Sequence, residues 1–384
     1  MPDQPITAAT LPDYFSGKHV LVTGHTGFKG SWLSLWLHDM GAQVTGIALP
    51  PPDGPSLFNA VGLAEMIDHR VADITDPEAY SEACRDVDPD LVIHMAAQSL
   101  VRPSYDDPVR TFQTNVTGTA IVLDRARRMK NARGVIVVTS DKCYENHEWP
   151  WPYRETDQIG GADPYSASKG CAELVAHSFR QSFFSTEDGC QIASARAGNV
   201  IGGGDWAVDR LVPDIMRASI ANTDVLIRNP DSVRPWQHVL EPLSGYLILG
   251  AHLMGEHAAR YAQAWNFGPR PDAFLDVRTL ARHLLSAWGE GAAKVSFGKP
   301  PVDVHEAGML TLDSSKAASL LGWKPHLSTT EAIALAAQWY RAFANGADDM
   351  RAITRAQIAH FAGNDPEFPV PQTDPQTDKV AICA

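Results

Sequence analysis

The chain has 384 residues, 44% of them hydrophobic and 20% charged, which suits one to three domains with a large core that needs no disulfides. Its formal charge of −13 repels polyphosphate, so general nucleic-acid binding is excluded and an anionic substrate needs a local cationic pocket. The five cysteines are scattered without CxxC spacing, and no apolar run approaches the ~18 residues of a membrane span, which argues against a disulfide framework, a zinc site or a membrane protein.

Residues 1–16 are polar and read as an N-terminal extension. They lack the basic and apolar regions of a signal peptide, so a cytoplasmic enzyme is expected. Residues 18–23, KHVLVT, predict a buried parallel strand closed by glycine. The apolar stretch 31–40 predicts a helix and 43–49 a second strand, ended by three prolines. Residues 53–66 read as an irregular connection. A third strand is expected at 69–72, a helix at 77–85 and a fourth strand at 90–95. Long helices are expected at 108–129 and 164–184, with strands at 134–140 and 191–196. Strands alternating with helices at this spacing predict an α/β, doubly wound parallel (Rossmann) sheet over residues 17–198. After residue 200 glycines and prolines break the pattern. Residues 199–345 are expected to form a smaller substrate-binding part, with some strands returning to the sheet and a helix at 330–345. Residues 346–384 read as a C-terminal tail, whose part beyond 364 is rich in Pro, Gln, Thr and Asp and expected to be a disordered or loosely docked end.

Gly24, Gly27 and Gly30 stand between the first strand and the first helix. Backbone N–H groups at a helix N-terminus suit a pyrophosphate, and glycine allows its close approach. The loop therefore predicts a dinucleotide site. An acid ~20 residues further on normally holds the adenosine ribose. Here the strand end carries neither an acid nor an arginine, which leaves NAD and NADP undistinguished. Asp73, after the third strand, is a candidate acceptor for the adenine amino group, or a plain turn acid.

Tyr165 and Lys169 are four residues apart at the start of a long helix, so they share one face. A tyrosine has a pKa near ~10 and is a poor base unless a neighbouring ammonium stabilises its phenolate. Such a pair can take a proton from a sugar hydroxyl while hydride leaves the same carbon.

These motifs, with HMAAQSLVRPSY (94–105), TSDKCYEN (139–146), RAGNVIGGGDW (196–206), RPWQHVLEPLSGYL (234–247) and LGWKP (321–325), resemble the extended short-chain dehydrogenase/reductase family, and within it the sugar-nucleotide 4,6-dehydratases that act on CDP-glucose. The resemblance spans about residues 17–345. It implies bound NAD, with Phe28, Ile74, Ala96, Ala97 and Asn115 joining the glycines, Asp73, Tyr165 and Lys169 around it. It implies an internal redox cycle: oxidation at sugar carbon 4, loss of water across carbons 5 and 6, and hydride return to carbon 6. The product is a 4-keto-6-deoxy sugar of the kind used in lipopolysaccharide O-antigen. Ser140 would hydrogen-bond the oxygen on carbon 4. Asp141 would donate a proton to the leaving hydroxyl, so it must hold a proton at that moment, which a dry, buried carboxyl does more readily. Relatives acting on the dTDP sugar carry Glu, the base for carbon 5, where this chain has Lys142. A lysine accepts a proton only where desolvation or a nearby cation favours the neutral amine. Lys142 is thus an active-site residue whose role is open.

By the same resemblance Gln98, Asn199, Arg234 and Glu306 would contact the nucleotide sugar, Arg234 through a bidentate fork on its pyrophosphate. Trp206, Trp236, Trp265 and His238 read as core residues. The two long helices would pair copies of the chain into a homodimer or higher homo-oligomer. Two rivals stand beside the dehydratase: a sugar-nucleotide 4-epimerase, which has no use for an acid at Asp141, and a non-catalytic dinucleotide sensor, which has no use for the Tyr–Lys pair.

Overall fold

A computed structural model describes residues 5–186, 189–270, 273–298, 309–363 and 365. Seven strands form the central sheet: β1 (His19–Thr23), β2 (Gln43–Ala48), β3 (Asp68–Val71), β4 (Leu91–His94), β5 (Gly134–Val138), β6 (Gln191–Ala197) and β7 (Ala264–Phe267). All pairs are parallel, in the order β3-β2-β1-β4-β5-β6-β7. The order reverses beside β1, and the crevice at such a switch point is where an open α/β sheet binds its ligand. Central strands are buried on both faces, which is why they read as continuous apolar runs. β7 is the strand that returns to the sheet from the C-terminal half. Its apolar run is short, so it escaped the sequence reading.

The principal helices are α1 (Leu11–Phe15), α2 (Phe28–Asp39), α3 (Gly118–Ala126), α4 (Pro164–Phe183), α5 (Leu240–Leu253), α6 (Thr329–Ala344) and α7 (Met350–Phe361). One apolar core joins α1, α2, α5, α6 and α7 beneath the sheet, and a second lies on the opposite face under α3 and α4. The helix expected over 108–129 is a composite. An α-helical turn at Pro108–Phe112 runs through a π-helical stretch at Gln113–Thr117 into α3. The connection at 53–66 holds a short helix, Leu57–Ala60.

Two terminal expectations need correcting. Residues 5–16 are not an extension outside the domain: Ile6, Ala8, Leu11 and Phe15 are buried in the main core. Four apolar side chains outweighed the polar composition around them. Residues from 346 do not begin a tail either. α7 packs Phe361 edge-on against Trp36, and its Thr354 accepts from Trp339 Nε1 at 2.9 Å. Arg355 closes an ion pair with Asp39 at 2.6 Å.

Trp265 and Trp236 are core residues, as expected. Trp206 packs on Tyr340 and Phe343 while also lining the cleft described below. His238 is buried edge-on to Trp32, and burial pushes its pKa down to about 3.

Candidate active site

The C-terminal ends of β1, β4, β5 and β6 open into a cleft of about 1480 Å³. At one end lies the glycine loop. Gly24 has φ +78°, and a Cβ there would stand 2.7 Å from Ala96 N. A Cβ on Gly30 would run into the Gly24 carbonyl oxygen. These two contacts require glycine, because α2 must start tight against β1 and β4. Gly27 is the N-cap of α2, and no side chain caps its N–H groups. The loop thus presents bare backbone donors and the positive end of a helix to the cleft, which fits a dinucleotide diphosphate. Phe28, Ile74, Ala96 and Ala97 supply apolar wall beside it.

Asp73 also lines this end. Its Oδ1 accepts from Thr75 N and Oγ1, both at 2.8 Å, and its Oδ2 pairs with Arg110 Nη2 at 2.5 Å. These partners hold its carboxyl below the usual range although desolvation opposes them. It is a turn acid facing the cleft.

At the other end β5 stops at Val138, and Asp141–Cys143 forms one 3-10 turn capped by Ser140. Ser140 Oγ donates to Asp141 Oδ1 at 2.8 Å. Asp141 is only 3% exposed, and Lys142 Nζ stands 3.6 Å from its Oδ1. Lys142 Nζ also donates to Asn199 Oδ1 at 3.4 Å. α4 enters from above, its N-cap Asp163 accepting from Ser166 N. This places Tyr165 and Lys169 over the end of β5, both buried. Burial pushes the Tyr165 phenol up to about 12, against a hydrogen bond from the Ser140 side and the charge of Arg210. Burial also pushes Lys169 down to about 8. The expected lowering of Tyr165 by Lys169 is not found: desolvation raises the phenol, and the cation that opposes it is Arg210. Lys169 Nζ donates instead to Val138 O at 3.4 Å.

The remaining expected residues divide. Asn199 and Arg234 line the cleft. Gln98 lines it too, but its amide turns back on its own loop, donating to Leu100 O at 2.9 Å and Thr111 Oγ1 at 3.2 Å. Asn115, expected at the cofactor, lies buried behind the wall. It donates to Gln98 O at 2.9 Å and Ser168 Oγ at 2.8 Å, and accepts from Gln98 N. The π-helical turn rotates it into that bridge, so it braces the loop after β4 against α4. Glu306 lies outside the described residues.

The sequence reading missed two cleft residues. Arg210 lines the cleft, pairs with Asp205 at 2.8 Å and donates to Ser99 Oγ at 3.2 Å. Lys29, inside the glycine loop, points to the same space and donates to Tyr246 Oη at 2.9 Å. A charged residue flanked by the loop glycines and an apolar helix was the clue for Lys29.

A family model described as GDP-mannose 4,6 dehydratase matches residues 21–335. A CDP-glucose 4,6-dehydratase from Salmonella typhimurium is 48% identical over 353 residues, covering 91% of this chain and 97% of the relative. A UDP-glucose 4-epimerase from Mycolicibacterium smegmatis is 25% identical over 326 residues, covering 84% and 98%. The fold is shared with a solved dTDP-glucose 4,6-dehydratase from Streptomyces venezuelae, with a TM-score of 0.71, 22% identity and coverage of 86% of this chain and 99% of that one. The chain belongs to the nucleotide-sugar dehydratase family that this GDP-mannose 4,6-dehydratase model describes, within the extended short-chain dehydrogenases/reductases.

Proposed function

We propose that the protein is an NAD-dependent hydro-lyase that converts CDP-glucose to its 4-keto-6-deoxy derivative. The observation that carries this reading is the meeting of buried Asp141 and its partly exposed ion partner Lys142 with Tyr165 and Lys169 at the end of β5, in the cleft that also holds the glycine loop. Oxidation and reversal at carbon 4 need only Tyr165, Lys169 and cofactor. An acid–base pair at the neighbouring carbons serves an elimination. The 48% identity to a CDP-glucose 4,6-dehydratase, against 25% to a 4-epimerase, supports the same choice.

The glycine loop, with Phe28, Ile74, Ala96 and Ala97, would hold NAD, which would supply reversible hydride transfer between carbons 4 and 6. The phenolate form of Tyr165, favoured by the Ser140 hydrogen bond and the charge of Arg210 against burial, accepts the proton of the hydroxyl on carbon 4, and Ser140 hydrogen-bonds that oxygen. The ketone acidifies the proton on carbon 5. Lys142 Nζ stands 3.6 Å from Asp141 Oδ1. In this reading Lys142 takes the proton of carbon 5 and Asp141 gives one to the departing hydroxyl of carbon 6, and passage of a proton from Lys142 to Asp141 restores both for the next turnover. Arg234 and Asn199 hold the substrate pyrophosphate, and Glu306 a ribose hydroxyl. Arg210 and Arg234 are among the cleft cations that give this acidic chain a local positive charge. Asp73 and Ile74 border the adenosine.

The reading includes a homodimer in the cytoplasm that feeds deoxysugar synthesis of the O-antigen type. Val109, Phe112 and Leu174 are exposed apolar side chains on the 108–126 and 164–183 helices, which favours pairing with a second copy there. No helix among the described residues is long and apolar enough to cross a membrane. Four described cysteines are free thiols.

The test is incubation of the purified chain with CDP-glucose and, separately, dTDP-, GDP- and UDP-glucose. A 4-keto-6-deoxy product from CDP-glucose, without stoichiometric consumption of NAD, is the expected result. Interconversion at carbon 4 alone establishes the epimerase instead.

A further inference from the structure

The segment after β4 carries two serines, Ser99 and Ser104, whose hydroxyls bind opposite sides of the cleft. Ser99 Oγ accepts from Arg210 Nη2 at 3.2 Å, and Ser104 Oγ accepts from Tyr165 N at 3.2 Å. Ser104 is fully buried in the short helix Val101–Asp106 and gives its own proton to Val101 O at 2.5 Å, which fixes the hydroxyl. Tyr165 stands in the first turn of α4, where a backbone N–H has no acceptor within its own helix. The next donor, Ser166 N, is met by the N-cap Asp163 at 2.9 Å, whereas Tyr165 N is met from outside the helix, by Ser104. The start of the segment is fixed as well. Gln98 N donates to Asn115 Oδ1, and Gln98 O accepts from Asn115 Nδ2, both at 2.9 Å.

The two ends of this segment hold two groups that act on each other. Arg210 comes from the C-terminal half, where Asp205 pairs with it at 2.8 Å, and it reaches the β4 side of the cleft through Ser99. Its charge favours the Tyr165 phenolate, as does the Ser140 hydrogen bond, while burial and the carboxylates Asp141 and Asp163 oppose it. Attraction between charges falls with distance, so the separation of Tyr165 from Arg210 governs how much phenolate forms. We infer that Ser104 is a positioning residue for proton transfer at carbon 4: with Ser99 it makes the 99–104 segment a spacer that holds Tyr165 at one end and Arg210 at the other. The inference rests on the reading of Tyr165 as the base. Ser104 acts through Tyr165 and has no contact with the reacting atoms to supply. A serine that merely satisfied a helix end would contribute stability alone.

The experiment measures kcat, KM and the pH profile of kcat with CDP-glucose for the purified full chain and its variants. A protonated phenol cannot take the carbon 4 proton, so the acid limb of kcat reports the phenolate. Ser104→Ala should lower kcat about 10-fold at neutral pH with little change in KM, the scale of a small misplacement of a catalytic group. Its acid limb should move to higher pH, because a phenol further from its stabilising cation needs less acid to stay protonated. Ser104→Thr keeps the hydroxyl and should return both values toward wild type. Ser99→Ala should move the limb the same way by less, since Asp205 still holds Arg210. The double variant should fall no further than Ser104→Ala alone, because a spacer released at one end transmits nothing from the other. A lower Tm with wild-type kcat and acid limb marks a purely stabilising cap and overturns the inference, as do additive effects in the double variant. Should Ser104→Ala fail to fold, Ser104→Cys keeps the volume with a poor acceptor and reads the same quantities. Tyr165→Phe, measured alongside, separates the two failures. Activity retained there overturns the base reading itself, whereas activity lost there with a wild-type profile in Ser104→Ala overturns the spacer alone.

Discussion

Arg196 and Glu173 form an ion pair at 2.8 Å inside the protein, each about 5% exposed. Glu173 Oε1 also accepts from Thr139 Oγ1 at 2.5 Å, and its Oε2 from Ser194 Oγ at 2.7 Å. Arg196 donates onward to Tyr144 Oη at 2.7 Å. The network ties α4, which carries Tyr165 and Lys169, to the ends of β5 and β6, where Ser140, Asp141 and Asn199 begin. Burial alone would push the Glu173 carboxyl up, but Arg196 and the hydrogen bonds hold it below its usual value. Glu173→Gln leaves Arg196 buried and uncompensated, and breaking such a pair costs about 3–5 kcal/mol. Urea unfolding should show that loss, with lower turnover at temperatures where the variant stays folded. A loss below about 1 kcal/mol would mean that the pair does not hold the site together.

Tyr165→Phe keeps the ring and removes the proton acceptor. General-base contributions run at about 10²–10⁴-fold, and kcat should fall by that factor with little change in KM. Near-full activity in this variant would place the base elsewhere.

Asp141→Asn separates the two halves of the reaction. Oxidation at carbon 4 does not use Asp141, so CDP-glucose should still generate the reduced-nicotinamide absorbance on the enzyme. Loss of the carbon 6 hydroxyl requires a proton donor, so product should be almost absent. Lys142→Met should stall at the same stage if the lysine removes the proton of carbon 5. Product at the wild-type rate from either variant excludes that residue from the elimination.

Acid should destabilise the fold ahead of its carboxylates. Burial pushes His94 and His238 down to about 3 and His25 down to about 4. Unfolded histidine takes its proton near ~6.5, so between that pH and about 3–4 the unfolded chain binds more protons than the native one. Stability therefore falls as pH drops through this window, by about 1.4 kcal/mol per pH unit for each histidine. Below about 4.5 the depressed Glu173 adds to the loss. Urea midpoints at pH 7, 6 and 5 measure the slope. His94→Gln, which can still bond Thr23 and Thr119, should remove one histidine's share of it. An unchanged slope in that variant would show that His94 takes up protons in the native state.

The sequence by itself determined the parallel sheet, the glycine loop and the reactive pair. Each of these is local: apolar runs of β length, glycines demanded by a turn, and two side chains four residues apart on one helix. The SDK turn was legible as a motif because Ser140, Asp141 and Lys142 are contiguous. What only the tertiary structure decided is what meets what across the chain. β7 joins the sheet beside β6 from 67 residues downstream of Ala197 in register Ala264 with Ser194. The terminal segments gain their fold from apolar faces of α2, α5 and α6 that do not exist until the core assembles. Asn115 reaches Gln98 and Ser168 only because a π-helical turn rotates it inward. Lys29 and Tyr246, 217 residues apart, become partners through the packing of α2 on α5. Spacing along a chain fixes which residues share a face. Burial, and the proton affinities that follow from it at Tyr165, Lys169 and Lys29, depends on every element packed around that face.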